Sequence, residues 1–380
     1  MAIVLHVVSY YPPDRIGGVG EVVANVHRGL LARGHRSCVL TSGTSTDDAN
    51  VLRVAATPLR FALAVARLAT LAREADVVHL HHGEGIGLLI AMRLLRIKTP
   101  VLLTLHVNVA AMMPSMRPYR AAGRTFGDWT MAERFYATVV MPARALMDRV
   151  ALALADSVSF ISRSAAQDTL GADAAEGAVI IYNGLAAAAT PRAEAIDSST
   201  LLFVGSGSVR KRVESLPLVL AAVRRRLPSA TLRIIGLAAG DNQELLTVAD
   251  ALGVRDALIF EGRRRSEELP AYYRASQVLL VPSAYEGLPM VILEAQQQGL
   301  PCVATRVSGH PEVITDGVNG YLVPLDDPEQ MAAAALRVLE NPEIRARMAI
   351  NGQREIASRF SVARQVEEYL ALYATLWNVT

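Results

Sequence analysis

Two hydrophobic periods alternate along the chain. Short apolar, β-rich runs recur at Ile3–Ser9, Arg36–Thr41, Val77–His81, Val101–His106, Ser157–Ser162 and Ala178–Tyr182. Runs of this length with little polar alternation suit strands buried on both faces, as in a parallel sheet. Between them lie longer stretches with a helical stripe. Glu21–Arg33 places Val22, Val23, Val26, Leu30 and Leu31 on one face, and Gly34 stands where a left-handed residue would end the helix. Periodicity lapses after Gly184 and then restarts. Leu201–Val204, Thr231–Ile235, Leu258–Glu261, Val278–Val281 and Cys302–Thr305 read as further strands, and Ser361–Trp377 as a last amphipathic helix with Ser361 as its N-cap. The pattern predicts an α/β protein of two Rossmann-like lobes whose parallel sheets face each other across a crevice. The predicted boundaries are 1–185 for the first lobe, 186–199 for a linker and 200–360 for the second lobe.

A length of 380 residues fits two domains, and composition narrows the class. With 52% hydrophobic and 19% charged residues, the chain is not of the disordered class. Its 38 basic and 36 acidic residues leave a net charge of +2, which predicts no nucleic-acid partner. Cys38 and Cys302 are too few for a zinc site or a disulfide framework. The start, Met1–Val8, reads as a strand rather than a basic leader, so the expected location is the cytoplasm. Arginines break every long apolar stretch, and no membrane span is expected. Basic residues are arginine almost throughout; only Lys98 and Lys211 are lysines. Such a bias draws attention to both, because lysine offers a compact point charge.

Candidate chemistry gathers where strands end. Gly17-Gly18-Val19-Gly20 follows the first strand and opens a helix, a place where backbone N–H groups approach an anion. Its spacing is not the G-x-G-x-x-G of a dinucleotide site. Gly205–Arg212 repeats the arrangement in the second half and adds three cations, Arg210, Lys211 and Arg212. Flexible backbone with a point charge is what phosphate oxygens require. Arg224–Arg226 lies late in a helix and reads as structural, whereas Arg263–Arg265 follows a strand end and either borders the crevice or faces solvent. Tyr285–Ala295 reads as a loop entering a helix, with Glu286 and Glu294 about two turns apart and facing one side. Two carboxylates beside a helix start can hold sugar hydroxyls while N–H groups hold phosphate. Among eight histidines, His106 ends a strand at the crevice; His79, His81 and His82 cluster without acids at metal-ligand spacing. His6, His27, His35 and His310 are assigned to packing or surface. No D-x-D motif appears, and Asp326-Asp327 before Pro328 looks like an N-cap.

Assembled in order, these pieces carry a resemblance. They are Tyr11-Pro12-Pro13, Gly17–Gly20 and Arg33-Gly34-His35, then Asp76–His81, Thr104-Leu105-His106, Ala155-Asp156-Ser157 and Tyr182-Asn183-Gly184. Phe203-Val204-Gly205 with Lys211, Phe260-Glu261-Gly262, Glu286 with Glu294, and Pro311–Val323 follow. The chain resembles, over nearly its whole length, the retaining GT-B glycosyltransferases of family 4, which transfer a sugar from a nucleotide-sugar donor. The resemblance implies that Gly17 and Gly18 present backbone to the donor diphosphate and that Lys211 neutralises it. It implies that His106 contacts the donor sugar, that Glu286 holds the sugar hydroxyls and that Glu294 holds the ribose. Gly287, Leu288, Pro289, Met290 and Val291 would offer backbone N–H groups, the base would sit near Gly262 and Arg263, and helix 361–380 would cross back to the first lobe.

Three positions depart from the family's pattern. Ser206 stands where the family usually has arginine, leaving Arg210 or Arg212 to compensate or Lys211 to carry the diphosphate. Ala186 replaces an aspartate and His310 an apolar residue. The expected enzyme is a metal-independent, retaining hexosyl or N-acetylhexosaminyl transferase without a cofactor, using a nucleotide-sugar donor. UDP, GDP and ADP stay open, with a UDP-sugar as the working choice. The acceptor is a hydroxyl of a glycan, glycolipid or small molecule. The arginines and aromatics of residues 116–127 suit an anionic lipid surface at the inner face of the membrane, a phosphorylated acceptor, or an ordinary acceptor loop. A GT-B sugar-nucleotide epimerase, an inverting transferase and a non-catalytic bilobal binding protein are the competing readings.

Overall fold

The computed structural model describes residues 1–13, 18–44, 48–55, 61, 64–116, 129, 131–187 and 199–377. Gly17, nearly all of the 116–127 segment and residues 188–198 of the expected linker lie outside the described residues. The chain divides into two compact units. Unit 1 comprises Met1–Ala111, Phe135–Ala186 and Arg359–Thr380; unit 2 comprises Met112–Arg134 and Ala187–Ser358.

Unit 1 is built on seven parallel strands: β1 (Ile3–Val7), β2 (Arg36–Ser42), β3 (Val51–Ala55), β4 (Val77–His81), β5 (Val101–Leu105), β6 (Ser157–Phe160) and β7 (Val179–Ile180). Their order is β3-β2-β1-β4-β5-β6-β7. The central strands β4 and β5 are buried at every position, as their unbroken apolar runs require. Helix α1 (Gly18–Leu31) lays Val22, Val23, Val26 and Leu30 on the sheet, and Gly34 takes φ +78 beyond its end. Helix α2 (Met141–Leu154) precedes β6. The C-terminal helix packs in unit 1, where Val366, Tyr369 and Tyr373 share a core with Val4, Val26, Leu30, Val77 and Leu102.

Unit 2 has six parallel strands: β8 (Thr200–Val204), β9 (Thr231–Ile235), β10 (Leu258–Gly262), β11 (Val278–Val281), β12 (Cys302–Thr305) and β13 (Gly320–Val323), in the order β10-β9-β8-β11-β12-β13. Helices α3 (Leu216–Arg224), α4 (Met290–Gln297) and α5 (Pro328–Leu339) serve this unit, and α6 (Val362–Trp377) is the helix that returns to unit 1. The N-cap expectations hold: Arg364 N–H donates to Ser361 Oγ at 3.3 Å, and Gln330 N–H to Asp327 Oδ1 at 2.9 Å. The triple arginine is structural, with Arg225 and Arg226 paired to Glu329 and Glu340.

Two edge strands were missed: β3 is broken by Arg53, and β13 is a four-residue strand that opens on a glycine although three of its positions are buried. Several strands also end earlier than their apolar runs. β1 stops at Val7, β5 at Leu105 and β6 at Phe160. The residues beyond leave the ladder to form the loops that carry the polar side chains. No described helix is long and apolar enough to cross a membrane.

Candidate active site

Strand order reverses between β1 and β4 in unit 1 and between β8 and β11 in unit 2. At such a reversal the two following loops diverge and leave room beyond the C-terminal strand ends, where ligands bind in open α/β sheets. In unit 2 the loop after β8 meets the loop after β11, and Ala284 N–H donates to Arg210 O at 2.7 Å. Lys211 Nζ makes a short hydrogen-bonded ion pair with Glu286 Oε1. Arg210 Nη1 lies 3.0 Å from Glu286 Oε2 and donates to Tyr285 O at 3.0 Å. Lys211 is 9% and Glu286 8% exposed, so both charges depend on each other for solvation. Burial alone would raise the Glu286 carboxyl; Lys211 and Arg210 outweigh it and hold the group well below the usual carboxylate range. Burial also draws the Lys211 ammonium down, with Glu286 opposing.

Backbone geometry sends the neighbouring cations apart. Lys211 closes a 3-10 turn over Val209–Lys211, and Arg212 then adopts the left-handed conformation at φ +52. That reversal turns Arg212 towards Asp326 Oδ1, 3.3 Å from its Nε, and away from Glu286. Of the two candidates to offset Ser206, the structure therefore brings Arg210 to the carboxylate. Arg263 is exposed, beside Gly262 at φ +67.

Helix α4 begins at Met290, so Glu286 stands in the preceding loop and the reasoning from two helical turns does not place it. The loop itself does. Gly309 N–H donates to Glu286 O at 3.1 Å, and a Cβ on Gly309 would lie 2.1 Å from Gly287 O. Only glycine allows that approach. Pro289 is the helix N-cap and has no N–H to offer; its carbonyl accepts from Ile292 and Leu293 instead. Glu294, on the helix, accepts a 2.7 Å hydrogen bond from the buried Tyr273 hydroxyl. His310 is fully buried with Nδ1 2.6 Å from Thr305 O, and burial lowers it to about 4 against the pull of Glu286. Sequence reasoning missed Gly309 and Tyr273. The glycine carried no motif, and the tyrosine becomes relevant only through its contact with Glu294.

In unit 1 the corresponding reversal holds a cavity of about 360 Å³. Its walls are Ser9 and Tyr10 after β1, Gly18–Gly20 at the start of α1, His81 at the end of β4 with His82 and Glu84 beyond it, Val107, and Arg144 on α2. Gly20 is required there, since a Cβ would lie 2.8 Å from Tyr10 O. Arg144 pairs with Glu84 at 2.5 Å, and the Ser9 hydroxyl donates to the same carboxylate. Neither charged residue carried a sequence signal, because the pair joins two distant loops.

Beside the cavity, histidines accumulate on one face of the sheet. The rows Val4–His6, Val77–His79–His81 and Leu102–Thr104–His106 run in parallel register, apolar at one end and polar at the other. His79 is held by two hydroxyls, Tyr373 at Nδ1 and Thr104 at Nε2, each at 2.7 Å. His106 is only 4% exposed and bonds to His81. The sequence reading placed His6 in packing and found no metal-ligand group; the structure brings one nitrogen each of His6, His79 and His81 within 4.8 Å of the others, with no carboxylate among them.

Two family models match the chain: Glycosyltransferase Family 4 over residues 16–188 and Glycosyl transferases group 1 over residues 190–355. A D-inositol 3-phosphate glycosyltransferase from Saccharomonospora viridis is 37% identical over 185 residues, 47% of this chain and 43% of that protein. An alpha-D-kanosaminyltransferase from Streptomyces kanamyceticus is 32% identical over 180 residues, covering 47% and 46%. The chain thus spans less than half the length of the curated relatives it matches. Among solved structures, sucrose-phosphate synthase from Thermosynechococcus elongatus superposes over 100% of both chains with a TM-score of 0.80 at 19% identity. Anabaena Alr3699/HepE in complex with UDP and glucose does so over 99% of this chain and 100% of its own, with a TM-score of 0.75 at 19% identity. The two parallel sheets that each reverse strand order share the fold of these solved structures, and the two family models, which together take in residues 16–188 and 190–355, show that the chain belongs to the family 4-like GT-B glycosyltransferases.

Proposed function

We propose that the protein transfers a hexosyl or N-acetylhexosaminyl unit from a nucleotide sugar to a hydroxyl acceptor, with retention at the reacting carbon and without a divalent metal. The observation that carries this reading is Glu286 clasped by Lys211 and Arg210 at the strand reversal of unit 2. A donor diphosphate brings negative charge that competes for the two cations. Released from them, the carboxylate accepts hydrogen bonds from sugar hydroxyls. As the sugar–phosphate bond breaks, charge grows on the departing diphosphate, and fixed cations stabilise it more than they stabilise the intact donor. Glu294, already taking one hydrogen bond from Tyr273, is the acceptor for ribose hydroxyls. In unit 1 the cavity beside Glu84 and Arg144 receives the acceptor, and His106 contacts the donor sugar. HepE is described in complex with UDP-glucose, which favours a UDP-sugar.

The test is turnover of UDP-, GDP- and ADP-sugars with and without hydroxyl acceptors, read as nucleoside diphosphate release. The anomeric proton coupling of product reports stereochemistry, and a parallel assay contains EDTA. Diphosphate release with an α-linked product from an α-linked donor is expected, unchanged by EDTA. Inversion, or activity lost to EDTA and restored by Mg²⁺ or Mn²⁺, overturns the corresponding part. A donor that binds and is never cleaved indicates a binding protein.

A further inference from the structure

Just beyond β4 the backbone takes a conformation that side chains rarely adopt. His82 stands at φ +67 and ψ 172, a region that belongs almost to glycine alone. Its neighbours hold it there. His82 N–H donates to Thr104 O at 3.1 Å, and Gly83 N–H donates to Asp148 Oδ1 at 2.6 Å. Gly83 packs against α2 so closely that a Cβ would collide with the backbone of Met147 and Asp148. The His82 ring, 6% exposed, therefore lines the cavity of unit 1 while its Nδ1 faces Asp148 Oδ1 at 3.8 Å.

That facing selects a tautomer. His82 Nδ1 and Asp148 Oδ2 are both enclosed without a hydrogen-bond partner among the described residues. A carboxylate only accepts, so an Nδ1–H aimed at it is attracted and an Nδ1 lone pair is repelled. The separation is longer than a hydrogen bond, and contacts of this kind tighten when a ligand is bound. In its neutral form His82 then carries the proton on Nδ1, and Nε2, across the ring from that contact, offers a lone pair to the cavity. The other polar groups of this wall are engaged with one another. Ser9 and Arg144 both bond to Glu84, and His81 spends its nitrogens in a chain of histidines, on His6 at 3.2 Å and His106 at 3.1 Å. No described residue bonds to His82 Nε2.

We propose that His82 binds a hydroxyl of the acceptor through Nε2, with Asp148 as the positioning residue that keeps the lone pair on that side. Placing the acceptor in this cavity rests on the glycosyltransferase reading above; the tautomer does not. It predicts an uncommon state, because a free histidine side chain favours the Nε2–H tautomer. The ligand chemistry is a donating hydroxyl, as a cyclitol or sugar ring carries, and a methoxy group at the same position is not recognised.

The experiment is two-bond proton–nitrogen correlation on the full chain labelled with ¹⁵N-histidine, in mildly alkaline buffer, with peaks assigned by single substitutions of its eight histidines. The expected result is Nδ1 protonation at His82. Titration with glycerol, myo-inositol and methyl α-glucoside is expected to shift His82 Nε2 for at least one of the three and to leave the buried His27 and His310 unmoved. Asp148→Asn keeps an acceptor for the Gly83 N–H and removes the charge, so His82 should move towards the Nε2–H form. If Asp148→Asn does not fold, the wild-type spectrum and the titrations decide. Nε2 protonation of His82 in the wild type overturns the proposal, as does an unchanged tautomer in folded Asp148→Asn or an Nε2 signal that none of the three polyols moves. In transfer assays His82→Leu should raise the acceptor KM by about tenfold with donor affinity unchanged, and an unaltered acceptor KM overturns the hydroxyl contact. Absence of any transfer, with the tautomer and the polyol response as expected, would count against the enzyme reading and leave this site standing.

Discussion

At the strand reversal of unit 2, the polar groups are ions: Lys211 and Arg210 on one loop, Glu286 on the other, all paired. At the reversal of unit 1, one ion pair, Glu84 with Arg144, borders a cavity, and the polar groups behind it are uncharged imidazoles and hydroxyls. The two sheets share a topology, so topology does not decide this. What differs is how each site meets the cost of burying polarity. Opposite charges in hydrogen-bonding contact solvate each other, and a ligand of either sign disturbs that balance. Neutral rings cost less to bury, and they direct hydrogen bonds without a net field. The first arrangement suits an anionic donor, and the second suits a polar, uncharged portion of substrate.

Acid breaks this comparison most forcibly. His6, His79, His81 and His106 in unit 1 all lie below the ordinary 6.5, chiefly through burial. Below that pH the unfolded chain takes up protons that the folded chain does not. Stability from each ring is complete above about pH 6.5 and is lost as pH falls, by about 1.4 kcal/mol per pH unit. Unit 2 has only His310 in the same condition among its described residues. Glu286, held low by its cations, supports unit 2 at all pH above its unfolded value of 4.5 and loses that support only below it. Between pH 7.5 and 5, unit 1 should therefore weaken more. The two tryptophans report separately, Trp377 in unit 1 and Trp129 in unit 2. Urea midpoints of Trp129→Phe and Trp377→Phe should show the larger acid shift where Trp377 remains. Equal shifts would remove the contrast.

Glu286→Gln attacks the other side. Gln keeps the shape and leaves the buried Lys211 and the half-buried Arg210 without their counter-charge, a loss of about 3 kcal/mol of stability. Transfer should fall at least about a hundredfold, since hydrogen bonds to a charged partner contribute about 1.5–3 kcal/mol and their loss adds to the disturbed cations. A variant with more than half the wild-type kcat/KM and an unchanged melting temperature would show that the clasp is incidental.

How far the sequence reveals each region follows the same division. Central strands were readable because burial on both faces writes an unbroken apolar run, as in Val77–His81 and Val278–Val281. Val51–Ala55 is broken by Arg53, and Gly320–Val323 opens on a glycine and offers only three apolar residues. Lys211 and Glu286 were readable as motif residues, though 75 positions apart, because each sits at a strand end with its own local pattern. Their direct pairing was not readable, nor was the choice of Arg210 over Arg212, which turns on one left-handed residue. The histidine chain was hidden for a different reason. His6 lies within an ordinary strand, and only parallel register sets it beside His79 and within reach of His81.

Substituting each lysine sharpens the contrast between a site charge and a surface charge. Lys211→Ala removes one of the two cations on Glu286, while Lys98 is exposed. Lys211→Ala should lower kcat/KM for the donor by about tenfold to a hundredfold, with kcat reduced as well, because the proposed contact would strengthen while the diphosphate departs. Lys98→Ala should change stability by no more than about 0.5 kcal/mol and leave kinetics alone. Equal small effects would assign the phosphate to the arginines.

The smallest effect tests whether unit 1's neutral network is confined to that unit. Tyr373 on α6 is fully buried, and its hydroxyl pairs with His79 Nδ1 at 2.7 Å. Tyr373→Phe keeps the ring that packs beside Tyr369, Val77 and Leu102. It deletes one hydrogen bond and leaves a ring nitrogen buried without a partner. The cost should be about 1–2 kcal/mol, between the net value of a hydrogen bond and the penalty of an unsatisfied polar atom. For a unit of this size that lowers the melting temperature by about 2–8 °C. Donor affinity should not move, since the proposed diphosphate and ribose contacts all lie in unit 2. Lys211→Ala should give the reverse pattern, weak donor binding with a smaller change in unit 1 melting. Calorimetric titration of the donor on both variants, beside melting followed at Trp377, separates the two. A Tyr373→Phe protein that melts normally would mean that His79 finds another partner and that this hydrogen bond adds nothing to the apolar stripe and the other polar ties of the C-terminal helix, such as Gln365 with Gly184 and Arg364 with Tyr182.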